Sequence, residues 1–170
     1  MPLSTSYALK TSSAQMLGCL ASILKKGADH AAAHKISEDV FLNYRLYPDM
    51  LPFARQVQIA SDQIARGTAR LAGLELPSFP DVETTFAQLI ERTTKANAYC
   101  QAADSAAIDA RADTEVTVPI GGDRTLTLTC SQLLMSMTLP NLYFHAATAY
   151  DILRHNGVVL GKSDFLRPPA

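Results

Sequence analysis

The stretch from Ser131 to Leu166, SQLLMSMTLPNLYFHAATAYDILRHNGVVLGKSDFL, constrains the chain more than any other, because both ends of one long helix are written into it. Ser131 follows a strand-like run and suits an N-cap, Gly157 stands where a left-handed residue closes a helix, and Arg154 and His155 bring basic groups to the negative end of the dipole. At about 100° per residue, Leu134, Thr138, Asn141, Leu142, His145, Ala149 and Ile152 share one face, with Tyr143, Ala147 and Arg154 opposite. The pattern therefore turns an imidazole, that of His145, into a core. Pro140 removes one helical hydrogen bond and disfavours the helical region at Leu139, which predicts a kink or break one turn before His145.

A helix with one apolar face needs partners to cover it, and the rest of the chain supplies three. From Ser4 to about Lys26, Leu9, Met16, Leu17, Leu20, Ile23 and Leu24 keep helical spacing, and Gly27 after two lysines reads as a stop. His30 and His34 follow at i and i+4 in an Ala-rich segment that reads as an exposed turn rather than a metal site, with no Glu between them in the order a zincin needs. The aromatic run FLNYRLYP is expected to pack over the mouth of a bundle. A second helix begins at Pro48 and Asp49, tolerates Pro52 in its first turn and ends at Gly73. Phe53, Val57, Ala60, Ile64, Gly67 and Leu71 form its inner stripe, and Arg55, Gln58, Asp62, Arg66 and Arg70 lie largely outside. Gln56, three residues after Phe53 and four before Ala60, shares the inner face.

The proline-rich connection LELPSFPDV leads to a third helix capped by Asp81 and running through Phe86, Leu89, Ile90, Thr93 and Tyr99 to about Cys100. TEVTVPI and RTLTLTC then alternate β-branched residues across Gly121, Gly122 and Asp123, a hairpin signature, with Pro119 confining the first strand to an edge. The reading is an all-α domain over residues 1–170 with a small β-hairpin before the last helix, since a chain of this length closes one core.

Charge and cysteine usage narrow the function classes. A formal charge of −1 gives no electrostatic case for nucleic acid or an anionic membrane surface, so a small molecule or a protein is the more natural partner. The first 26 residues lack the charged and apolar regions of an export signal, and Lys10 interrupts any span, so the protein is expected to be cytoplasmic. Cys19, Cys100 and Cys130 are odd in number and far apart, which agrees with a reducing compartment and with buried apolar packing.

The combination of YPDMLPFARQVQIASD, a central Pro/Phe segment and NLYFHAATAYDILRHNGVVLGKSDFL resembles an uncharacterised bacterial branch, of unknown function, of the DinB/YfiT-like superfamily. The resemblance spans nearly the whole chain, and its most specific part is a helix end LRxxG followed by GKxDFL. It implies an up-down-down-up four-helix bundle, often a homodimer, in which three histidines commonly hold a divalent metal such as zinc or nickel. In such relatives the metal activates a low-molecular-weight thiol for transfer or isomerisation. Aligning on Leu153–Arg154 places the second histidine of the family's H-x3-H pair at His145, while the first falls on Asn141 and the inward polar residue of the second helix is Gln56. One imidazole and two carboxamides are a weak donor set for zinc or nickel.

Two readings follow. In the first, Gln56, Asn141 and His145 converge as a degenerate metal site that serves as a structural network or a small-molecule pocket. In the second, His145 is a metal ligand of a thiol S-transferase or isomerase, and water or substrate completes the shell. Tyr143, Phe144, Ala146 and Tyr150 exceed what one inward stripe can use, which predicts a homodimer through the first and last helices. His155 is expected to cap the last helix.

Overall fold

The computed structural model describes residues 3–166. Four long helices form the bundle: α1 (Thr5–His34), α3 (Phe53–Ala72), α4 (Phe86–Ala102) and α7 (Leu139–His155). Short helices α2 (Glu38–Leu42), α5 (Ser105–Ala110), α6 (Cys130–Leu133) and α8 (Lys162–Phe165) join or finish them, and strands β1 (Glu115–Pro119) and β2 (Thr125–Thr129) make the expected antiparallel hairpin. The direction of each long helix follows from named contacts. Ser13 donates to Asn97 and the Lys10 ammonium to the Ala103 carbonyl, so α1 and α4 run antiparallel. Asp62 on α3 pairs with Arg92 on α4, and further along both helices Thr68 meets Cys100, so those two run parallel. Gln56 meets His145 and Gly67 meets Thr138, so α3 and α7 are antiparallel. The result is the up-down-down-up order.

The inner stripes read from the sequence are the observed core. Leu9, Leu24, Phe53, Ile64, Phe86 and Leu153 are all completely buried. Phe86 lies 5.8 Å from Phe53 and 6.1 Å from Phe41, ring centre to ring centre, at the mouth covered by α2. Burying side chains of this size stabilises the fold by roughly 1.5–3 kcal/mol each. The aromatic run does pack at that mouth through Phe41, Leu42 and Tyr44, although Tyr47 is exposed. All three cysteines are buried and unbridged, as expected.

Several helix boundaries differ from the sequence reading, each for a local reason. Gly27 does not stop α1, which continues through the Ala-rich segment to His34. Its missing side chain is used for packing instead: a Cβ there would stand 2.9 Å from the Phe86 ring and 3.2 Å from Leu153. The helix ends at Lys35, a non-glycine residue at φ 55°, with Ile36 N–H reaching back to the Ala31 carbonyl. The segment carrying His30 and His34 is therefore helical, and the two rings stack with centres 4.0 Å apart. Helix α3 starts at Phe53 rather than Pro48, because residues 44–52 fold as a loop closed by Phe53 N–H on the Tyr44 carbonyl, with Pro52 extended at the N-cap. Thr85, not Asp81, caps α4, and the Glu38 carboxylate of α2 takes the Phe86 N–H. Thr129, not Ser131, caps α6 through a capping box with Gln132, while Ser131 bonds to the Ala112 carbonyl. The far end is as read: Gly157 is left-handed at φ 89°, and Val158 N–H bonds to the Leu153 carbonyl.

Candidate functional site

Pro140 has no N–H for the Ser136 carbonyl and crowds the turn before it. The chain answers with a π-helical turn over Leu134–Thr138 instead of a break, and Leu139 stays helical at φ −69°, ψ −45° with its N–H on the Leu134 carbonyl. Thr138, carried on that wide turn, seats itself on Gly67, where a Cβ would lie 2.7 Å from the Thr138 methyl. Close approach of α3 and α7 at this point places the residues of the next turn.

Gln56 and His145 meet between the two helices. Gln56 Oε1 lies 2.7 Å from His145 Nδ1, and Gln56 Nε2 donates to the Leu51 carbonyl at 2.9 Å. The second bond settles the first: a carbonyl only accepts, so the amide NH2 faces Leu51, Oε1 faces the ring, and Nδ1 must carry the proton. His145 is 9% exposed, and burial pushes its pKa below the ordinary value. The ring is thus neutral, with its lone pair on Nε2, and Phe144 packs edge-on against it at 5.2 Å. Asn141 does not join the pair. Its Nδ2 donates to the Met137 carbonyl of its own helix at 2.8 Å, and the residue borders the adjoining groove.

That groove, about 320 Å³, runs between α3, the π turn and the hairpin. Ile59, Val118, Pro119 and Met137 give it apolar walls, and Gln63 and Asn141 contribute neutral polar groups. Three arginines of α3 also line it. Arg55 is engaged by Asp81 and by Gln58 Oε1, whereas Arg66 and Arg70 make no ion pair among the described residues. Partial burial, and then the neighbouring Arg66 charge, lower the pKa of Arg70 from its usual value.

A second polar centre has no counterpart in the sequence reading. Arg92 is 3% exposed, and its guanidinium meets Asp62 at 2.7 Å, Glu83 at 2.9 Å and Asp81 at 3.0 Å, with further bonds to the Phe79 and Pro80 carbonyls. Gln58, expected outside, is buried and donates to Glu83 at 2.8 Å. Burial raises the Asp62 pKa against the opposing effect of Arg92. Burial also works to raise Glu83, but hydrogen bonds from Arg92 and Gln58 outweigh it and leave that group below its ordinary value. A signal for Arg92 is present in the chain, since it stands three residues after Leu89 and four before Ala96 on the buried stripe of α4.

The donor set does not fit a zinc or nickel ion. No group of three or more His, Cys, Asp or Glu side chains able to hold a metal occurs among the described residues. Gln56 Oε1 is committed to the imidazole, which leaves His145 Nε2 as a single strong donor where three are normal. His34 Nδ1 bonds to the His30 carbonyl, so that stacked pair is bound into its own helix. Burial raises the Cys100 and Cys130 thiols, so neither is a ready thiolate.

No curated protein matches the chain. A crystal structure of a DinB family member protein from Shewanella denitrificans is similar over 95% of this chain and 90% of that one, with 37% identity and a TM-score of 0.86. The domain of unknown function DUF1993 matches residues 8–166. The chain accordingly belongs to the DUF1993 family and has the DinB-like helical fold.

Proposed function

We propose that the chain is a small-molecule-binding bundle whose site is the groove between α3, the π turn and the hairpin. One observation carries the reading: Gln56 and His145 are bound to each other, and Asn141, which the resemblance sets with them at the family's histidine positions, is left at the edge of a 320 Å³ groove. The Gln56–His145 pair bridges the two helices beside the groove, and Asn141 offers a polar contact to an occupant. A volume of this size suits a small metabolite. Thermal-shift screening of the full chain is expected to find stabilising compounds whose effect disappears in Asn141→Leu, which both fills the groove and removes the amide. Shifts that survive this substitution would overturn the placement.

One feature favours the second reading, a metal-dependent thiol transferase: His145 Nε2 keeps its lone pair, and a hydrogen bond on Nδ1 is how metal-bound histidines are commonly oriented. Elemental analysis of untagged protein purified without chelator separates the two. The binding-module reading expects no stoichiometric transition metal; one equivalent of zinc or nickel, lost in His145→Ala, would sink it. In the same reading the protein is cytoplasmic and a homodimer through α1 and α7. Its support is the exposed apolar surface of Met135 (58%) on the π turn and Tyr143 (40%) and Phe144 (58%) on α7, with the Tyr143 hydroxyl tied to Ser12 of α1. Light scattering that gave the 18.4 kDa monomer mass at tens of micromolar protein would remove the dimer.

A further inference from the structure

We infer that the groove selects an anion: a small molecule with an oxyanion, carboxylate or phosphate, held by the Arg66 and Arg70 side chains while its apolar body lies against Ile59, Val118 and Met137. This rests on the groove being the binding site and adds the ligand's chemical class. Arg66 and Arg70 stand at i and i+4 on α3, an arrangement in which like charges repel and cost helix stability. Among the described residues, four other cations are paired with carboxylates. Arg92 has three carboxylates, Arg55 has Asp81, Lys26 has Asp164 and Lys95 has Glu91. Arg66 and Arg70 make no ion pair among the described residues, although the Arg66 charge acts on Asp62 one turn away. The one carboxylate that lines the groove, Asp62, is already bonded to Arg92.

Two guanidinium groups one helical turn apart, facing a concave space with apolar walls, match the fork geometry by which arginine takes up carboxylate or phosphate. Gln63 and Asn141 add neutral groups that fix orientation rather than charge. At about 320 Å³ the space admits roughly one ring and its acidic substituent, near the lower limit of small-molecule sites. The net charge of the chain is only −1, so the two arginines do not belong to a generally basic surface.

The test uses three matched probes on the full chain, with binding followed by NMR chemical-shift titration: benzoate, phenyl phosphate and the neutral benzamide. Benzoate or phenyl phosphate is expected to move the resonances of Arg66, Arg70, Asn141 and Val118, and the better of the two names the oxyanion. Benzamide should bind at least about tenfold more weakly, the scale of one charge-assisted hydrogen bond. Arg66→Gln and Arg70→Gln, each at a position that is not fully buried, should remove that difference. Equal binding of benzoate and benzamide, or anion binding indifferent to both substitutions, would overturn the anion selectivity and leave the groove reading standing. If none of the probes shifts groove resonances up to tens of millimolar, both inferences fall.

Discussion

The two buried polar centres of this bundle share helix α3 and solve opposite problems. Gln56 and His145 join two long helices that apolar packing already holds together, and a single neutral hydrogen bond at 2.7 Å suffices. Arg92 anchors the connection 73–85, which has no regular structure and whose Leu74, Leu76 and Val82 are exposed. A segment with so little apolar burial is held by charge, through Asp81, Glu83 and two backbone carbonyls. The contrast shows one use of buried charge in this fold: it fastens a connection that packs against the core chiefly through Phe79.

Removing the guanidinium is the harshest way to break the comparison. Arg92→Met keeps much of the volume but takes the shared cation from three carboxylates, and should cost about 3 kcal/mol, the lower end for a broken buried ion pair, because Asp81 is 41% exposed and keeps Arg55 while Glu83 keeps Gln58. Urea denaturation measures this, and a loss under about 1 kcal/mol would class the cluster with ordinary surface pairs. Next in size is the contact that sets the α3–α7 distance. Gly67→Ala should cost about 1–3 kcal/mol by overpacking against Thr138. The double change Gly67→Ala with Thr138→Ala should recover part of the loss, and additivity would show that the two do not touch.

The neutral centre should be cheaper to break. His145→Ala leaves Gln56 Oε1 without its donor and is expected to cost about 1–3 kcal/mol, with a double-mutant cycle against Gln56→Ala returning a positive coupling. A cycle with no coupling would reduce the hydrogen bond to coincidence of position.

The smallest effect is on pH dependence, and it sharpens the contrast most. The folded pKa of His145 lies below its ordinary value of 6.5, so the unfolded chain binds the proton more readily. Its contribution to stability is full above about pH 6.5 and is lost as pH falls toward the folded pKa. For Glu83, also depressed, the contribution is present above its ordinary value of 4.5 and lost below it. Asp62, raised from 3.8, has the opposite sign and partly cancels Glu83. Denaturation from pH 7 to 5 should therefore carry the His145 contribution, and His145→Gln should lessen the slope there while leaving the acid limb. An unchanged slope between pH 7 and 5 would contradict the buried, neutral assignment.

The same contrast explains what can be read from the chain. Gln56 and His145 are legible because both lie on helices, where a spacing of three or four residues is enough to identify the inward face. The Arg92 cluster is not, since Asp81 and Glu83 sit in a proline-rich connection with no period to follow, and Asp81 has the chemistry of a cap. Arg92 itself obeys the period, but a charged residue on an apolar stripe is easily assigned to solvent. Gly27 misleads for a different reason: a glycine after two lysines has the local chemistry of a helix end, and only Phe86 and Leu153, distant in sequence, require it inside one. Asn141 shares the face of His145, yet its amide bonds back to the Met137 carbonyl, as Asn156 does to Ile152, and the residue borders the groove instead.

That wide turn works as a gearbox within a single helix. One additional residue in a turn offsets everything before it by about 100° from the phase a plain α-helix would give. The hairpin and α6 are thus aimed independently of His145, although one continuous rod carries all three. Deleting a single residue between Leu134 and Thr138 would restore the ordinary pitch and swing the hairpin about a quarter of the way around the bundle. Val118 and Pro119 would leave the arginine-lined wall, while Gln56 and His145 would keep their bond. An insertion or loss at one position would then open or shut the groove without touching the residues that line its opposite side.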